Sequence, residues 1–147
     1  MRLWGHPIHP MLVHFPVAFW TVAAAAYIAA AMGVEGAAAL AKYSNGAGLV
    51  VAMLAMIAGL VELPSIGGGS CAMQVAMSHM MAMAAAWVCF LLALVITTSA
   101  GASLDESTVQ LAAPASASVG FLLMGVGGWL GGRLVYEFGI GVAAGKK

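Results

Sequence analysis

Four histidines are the side chains whose type and spacing could support chemistry, because they interrupt or flank otherwise apolar stretches. His14 lies just inside the first such stretch, and His79 lies inside the third. Neutral imidazole binds transition metals and haem iron, and the positive dipole end of a helix N-terminus favours the neutral form of His14. If the two helices run parallel, both rings lie at matched depth. We therefore predict that His14 and His79 are the axial ligands of a b-type haem. Hydrogen bonding to neighbouring helices is the alternative role for both.

Three further polar side chains are predicted at the same membrane face as these histidines. Glu62 ends the second apolar stretch, and Arg133 and Tyr136 follow the fourth. We expect all three to line the cofactor, with Arg133 suited to a haem propionate because its guanidinium pairs bidentately with carboxylates. For Tyr136 an interface anchor is the alternative role, and the one that its residue type favours.

The remaining histidines, His6 and His9, stand in the segment Gly-His-Pro-Ile-His-Pro. A residue before proline avoids the helical region of backbone space, so both are predicted on extended or turn backbone. They could be further metal ligands beside His14 and His79. Alternatively, the segment is an interfacial collar anchored by Trp4.

Methionines are frequent around His79, and thioethers bind Cu(I). Methionine is also an ordinary gap-filling residue in apolar packing, and these side chains point in several directions around a helix. A site for copper, zinc or iron without porphyrin is therefore an alternative to haem.

Composition determines which solvent the chain can fold in. Hydrophobic residues make up 63% of the sequence and charged residues 7%, whereas a soluble domain is about a quarter charged. A chain of this length could not hide so much apolar surface from water, so the lipid bilayer is the expected solvent. The zero formal charge gives no basic patch for nucleic acid.

The elements that must position the histidines are four apolar stretches, each near the length that crosses a bilayer as a helix. They predict an all-α fold, a four-helix transmembrane bundle in a single domain spanning 1–147. The predicted spans cover about 11–33, 45–61, 73–100 and 109–130.

An even number of spans places both termini on the same side of the membrane. That side would hold most of the basic residues, namely Arg2, Arg133, Lys146 and Lys147, against Lys42 on the other side. The positive-inside rule then predicts cytoplasmic termini.

A family resemblance covers nearly the whole chain. The stretch GHPIHPMLVHFP at 5–16 resembles the signature of a prokaryotic membrane family known as domain of unknown function 2231. The resemblance continues through residues 59–64, His79 and residues 131–142. It implies four spans in a prokaryotic cytoplasmic (inner) membrane. It also implies a redox setting, because members are sometimes joined to c-type cytochrome or Rieske domains.

Two positions depart from the pattern that this family resemblance implies. Family members often carry aspartate where this chain has Glu62, and histidine where it has Phe138. The second departure removes a potential ligand near the C-terminus of the chain.

The sequence therefore leads to three functional hypotheses. The first is a small electron-transfer protein or subunit that binds haem b and works with other membrane subunits or a redox partner protein. The second is a non-enzymatic accessory subunit of a larger membrane complex, and the third is a metal site or transporter. We expect no catalytic activity of its own, since no nucleophile–base pair, phosphate loop or zinc-protease spacing occurs.

Overall fold

The computed structural model describes residues 2–3, 6–99 and 104–142, with side chains for 8–99 and 104–142. Two short strands, β1 and β2, pair antiparallel at the N-terminus, with Leu3 opposite His6. Five helices follow, and a 3₁₀ turn at Leu63–Ser65 continues the third. The bounds are β1 Arg2–Leu3, β2 His6–Pro7, α1 Ile8–Leu12, α2 His14–Ala31, α3 Ala37–Glu62, α4 Cys71–Ser99 and α5 Glu106–Tyr136.

Four helical segments are long and apolar enough to cross a membrane, which confirms the predicted four-helix membrane fold. They cover Ile8–Ala31, Ala37–Ser65, Cys71–Ser99 and Glu106–Tyr136. Their lipid-facing sides carry exposed large apolar residues such as Leu54, Leu92 and Leu122. Since the backbone groups in the middle of a helix are bonded within the helix, these segments can face hydrocarbon.

Helix ends are set by local chemistry. Gly33 and Gly36 adopt positive φ angles between α2 and α3, a conformation that disfavours residues with a Cβ. Asp105 precedes α5 and accepts hydrogen bonds from the backbone N–H of Thr108, 3.0 Å away, and from the hydroxyl of Ser107. This N-cap satisfies donors that the first helical turn leaves unpaired.

The bundle is square in cross-section. α2 packs against α3 and α5, and α4 packs against the same two helices, so α2 and α4 occupy opposite corners. Its interior is built mainly from alanine and glycine, which allow close helix approach in membranes. One large pair fills the centre, where the rings of Trp20 and Phe90 stack with centroids 4.6 Å apart and planes inclined by 8°.

The two helix hairpins, α2–α3 and α4–α5, repeat one pattern of buried positions. A residue of α2 has its counterpart 70 positions later in α4, and a residue of α3 has its counterpart 72 positions later in α5. Every buried residue of α5 has a buried counterpart in α3. The pairs are Pro16 and Ala86, Trp20 and Phe90, Ala23 and Ala93, Ala41 and Ala113, Asn45 and Ala117, Gly48 and Gly120, Ala52 and Met124, and Ala55 and Gly127.

Details of packing follow the same repeat. A Cβ added at Gly48 would meet Trp20 at 2.6 Å, and one added at Gly120 would meet Phe90 at 3.0 Å. Each hairpin thus seats one aromatic ring on one glycine, and the two rings stack on each other. The two hairpins thus repeat the same packing, as in membrane proteins built from parallel repeats.

Candidate functional site

His9 and His79 meet at the end of the bundle where α1 begins and α3 and α5 finish. Their ring centroids are 6.2 Å apart and the ring planes are inclined by 89°. The two residues are counterparts in the internal repeat, 70 positions apart. The ring pair thus joins equivalent positions of the two hairpins.

His9 is held by the third helix. Its Nδ1 lies 2.7 Å from the carbonyl oxygen of Ala55. The ring lies over Gly59, where an added Cβ would be 3.2 Å from Nδ1. Glycine four residues beyond Ala55 leaves that carbonyl open on its helix surface, since no side chain covers it.

His79 is held by the fifth helix in the same way. Its Nδ1 lies 2.8 Å from the carbonyl oxygen of Gly127. The ring lies over Gly131, where an added Cβ would be 3.3 Å from Cε1. Gly59 and Gly131 are counterparts in the repeat, as are Ala55 and Gly127. Each hairpin therefore holds one histidine ring with one carbonyl and one glycine, an arrangement that we call the seat of that histidine.

These hydrogen bonds fix the chemistry of both rings. A carbonyl oxygen can only accept, so each Nδ1 must carry the proton and donate it. In the neutral imidazole the other nitrogen, Nε2, is then an acceptor with a free lone pair. A backbone carbonyl holding one ring nitrogen is the usual arrangement around a metal-binding histidine, because it fixes the tautomer and orients the ring.

The centroid separation of 6.2 Å brings the two imidazoles into the range at which both could bind one metal ion. Among the described residues, no group of three or more histidine, cysteine, aspartate or glutamate side chains is arranged to hold a metal ion. The pair His9 and His79 could offer two ring nitrogens to a metal ion.

The structure pairs His79 with His9 and not with His14, the partner that we predicted. His14 is exposed at the start of α2, and the ring contact of His79 is with His9. His9 and His14 lie on opposite sides of Val13, which separates α1 from α2, and α1 packs against α3. The side chain of His6 lies outside the described residues.

The backbone prediction for the two proline-flanked histidines is half right. His6 is on extended backbone in β2, as predicted. His9 is helical, in the middle of α1, so its prediction was wrong. The proline bias disfavours the helical region without forbidding it, and the bond to Ala55 holds the ring where the helix places it.

The other predicted site residues lie at the ends of α3 and α5. Arg133 pairs with Glu137 through three hydrogen bonds of 2.9–3.0 Å and lies over the ring of Trp129 at 5.3 Å. Hydrogen bonds from Arg133 hold the pKa of Glu137 below its usual range. Tyr136 is 89% exposed, and Glu62 ends α3.

Sequence reasoning missed the partner of His79 and the carbonyls that hold both rings. The available signal was a glycine that follows the carbonyl residue by four positions in each second helix. A second signal was the histidine that stands 70 positions after His9, although few other residues recur at that spacing.

Comparison with known proteins returns one family. The sequence pattern of the family described as "Predicted membrane protein (DUF2231)" matches residues 5–144. No curated protein and no solved structure matches the chain.

Proposed function

The chain belongs to the DUF2231 family of membrane proteins, and from that premise we propose that it is a small electron-transfer protein. In this proposal His9 and His79 bind a b-type haem at one end of the bundle. The observation that carries it is the ring pair itself, 6.2 Å apart, with both Nδ1 atoms bonded to helix carbonyls.

A donor set of two ring nitrogens favours haem over a bare metal ion. A porphyrin supplies four nitrogens of its own, so two imidazoles complete six-coordinate iron. Zinc sites take four ligands and hard cations take six or more oxygens. The described residues provide no third side chain of the usual metal-binding types beside the pair.

Two imidazoles on one iron favour electron transfer over chemistry on a bound substrate. Such ligation leaves no open position at the metal for oxygen or another reactant. A centre of this kind exchanges electrons with a second redox group. The proposal therefore includes a partner protein or further membrane subunits, met at the end of the bundle that carries the histidines.

The same proposal places the chain in a prokaryotic cytoplasmic membrane with its termini in the cytoplasm. The support is the basic residues, of which Arg2, Arg133, Lys146 and Lys147 stand on the terminal side and Lys42 on the other. The histidine pair then lies near the cytoplasmic face.

A single copper ion is a second candidate for the same pair. Cu(I) is satisfied by few ligands and accepts imidazole and thioether donors. Met83 lies four residues beyond His79 on the same face of α4, and its Sδ lies beside Gly127, whose carbonyl holds the ring of His79. In this case the protein would bind or pass on copper, and its purified form would contain copper without porphyrin.

The experiment is an absorption spectrum and metal analysis on one sample of protein, purified from cells supplied with haem precursor. Haem binding predicts one iron and one porphyrin per chain, lost in His79→Ala and in His9→Ala. A folded protein that contains copper alone would favour the second candidate. A folded protein with neither metal would contradict both.

A further inference from the structure

We infer that a water molecule is bound inside the bundle between Trp20 and Asn45. The inference is independent of the histidine pair. Both side chains are fully buried. Trp20 Nε1, a donor, and Asn45 Oδ1, an acceptor, have no hydrogen-bond partner among the described residues.

The orientation of the Asn45 amide is fixed by its other contacts. Its Nδ2 donates to the carbonyl oxygen of Phe90 at 2.9 Å and to the hydroxyl of Tyr27 at 3.0 Å. Rotating the amide by 180° would place two oxygens against each other at Phe90. The Oδ1 atom is therefore the one left facing the interior, and it can only accept.

The indole of Trp20 has its donor beside the same face of α3. The N–H lies in the plane of the indole, and this plane is nearly parallel to the ring of Phe90. The donor therefore does not point at the aromatic face of Phe90. Nε1 would be 2.7 Å from a Cβ at Gly48. Gly48 is three residues from Asn45, which places both on one face of the helix.

The chemistry of the two unpaired groups selects water. An unpaired buried donor or acceptor costs about 1–3 kcal/mol, and one water can accept from the indole while donating to the amide. A cation would meet the indole N–H, and an anion would meet the amide oxygen, so neither ion suits both. Buried waters use two to four hydrogen-bond partners, and the indole and the amide supply two.

The repeat shows that this polar site belongs to one half of the bundle. The counterpart of Asn45 is Ala117, and that of Trp20 is Phe90. The second hairpin thus has neither the donor nor the acceptor. The bound water would join α2 to α3, while the Asn45 amide joins α3 to α4 through Phe90.

The test is nuclear magnetic resonance on the full chain with ¹⁵N-labelled indoles in detergent micelles. Trp87 is a matched internal control, because its Nε1 donates to the carbonyl oxygen of Leu49 at 3.1 Å. We expect a dipolar cross-peak between water and the Trp20 indole proton, and none at Trp87. The Trp20→Phe variant assigns the signal.

Substitution of the acceptor completes the test. Asn45→Leu keeps the site apolar and removes Oδ1, so the water cross-peak at Trp20 should disappear. Absence of the cross-peak in the unsubstituted protein would overturn the inference. Its persistence in Asn45→Leu would do so too. If Asn45→Leu does not fold, the comparison of Trp20 with Trp87 still decides the matter.

Discussion

Replacing Gly131 with alanine tests whether the seat of His79 positions the ring. The new Cβ would lie 3.3 Å from Cε1, and ordinary contact between carbon atoms is about 3.5–4.0 Å. The ring must therefore move away by a few tenths of an ångström. That shift lengthens the bond to Gly127, now 2.8 Å, towards the limit of about 3.2 Å for a good N–H···O bond.

Two opposing terms set the size of the effect on stability. Alanine in a helix interior is favoured over glycine by about 0.5–1 kcal/mol, and a weakened hydrogen bond loses up to about 1 kcal/mol. Gly131→Ala should thus be near neutral in the free energy of unfolding. Loss of an orienting partner of a metal ligand typically weakens metal binding about 10–100-fold. Because Gly131→Ala weakens the bond to Gly127 without removing it, haem affinity should fall by up to that factor.

The matched control is Gly128→Ala on the same helix, where nothing lies within 4 Å of the added Cβ. Gly128→Ala should keep the haem affinity, and its free energy of unfolding should rise by about 0.5–1 kcal/mol, the amount that alanine gains over glycine in a helix. Unfolding in detergent and haem titration by absorbance measure both quantities for each variant. Equal haem affinity for Gly131→Ala and Gly128→Ala would refute the positioning role of this seat.

Three further predictions follow from the same structure. His14→Ala should retain the centre because His14 is exposed, whereas His9→Ala should lose it; loss of haem in His14→Ala, measured by absorbance, would contradict this placement. Cys71 is exposed where α4 begins, on the predicted cytoplasmic side. A membrane-impermeant maleimide should label it in inverted vesicles and spare it in intact spheroplasts, and the reverse pattern would place the termini outside. Hydrogen bonds from Ser107 and Thr108 lower the pKa of Asp105. Its cap therefore stabilises the fold fully above the unfolded carboxyl pKa, and this contribution is lost as pH falls through the lower folded pKa. Asp105→Asn should flatten that acid dependence in unfolding measurements, and an unchanged pH profile would count against it.

The membrane fold could be predicted from sequence because lipid imposes it. A run of about 20 apolar residues has few other structures open to it. The helix bounds differ from the predicted apolar spans in both directions. α5 runs from Glu106 to Tyr136 around the predicted 109–130, whereas α2 ends at Ala31, before the predicted 33. Polar residues at helix ends do not register in an apolar pattern, so such a pattern does not give the bounds of a helix.

The choice of histidine partner could not be predicted in the same way. Depth along the bundle follows from counting residues, and it placed His79 near the other histidines. His9 and His14 are five residues apart, and Val13 between α1 and α2 keeps helical dihedrals of φ −63° and ψ −23°. Five residues turn a helix about 140° beyond one full turn, so the two rings leave it on different sides. Because His9 was predicted on non-helical backbone, this spacing was not applied to the pair.

The internal repeat was hidden for a related reason. What recurs is the size and burial of residues rather than their identity, as with Trp20 and Phe90 or Ala52 and Met124. Side chains that meet in the interior of the bundle need complementary shapes rather than the same residue type. A search for identical residues at a fixed spacing therefore finds few matches. The seats of His9 and His79 are the clearest exception, with glycine at both Gly59 and Gly131.

The most direct test of a haem held by His9 and His79 is the electron paramagnetic resonance spectrum of the oxidised protein. Rings that kept their 89° inclination on one iron would leave two of its d orbitals nearly equal in energy. The oxidised protein should then give one highly anisotropic low-spin ferric signal. A rhombic low-spin signal would contradict the perpendicular rings, and a high-spin signal or no ferric haem would contradict the ligation itself.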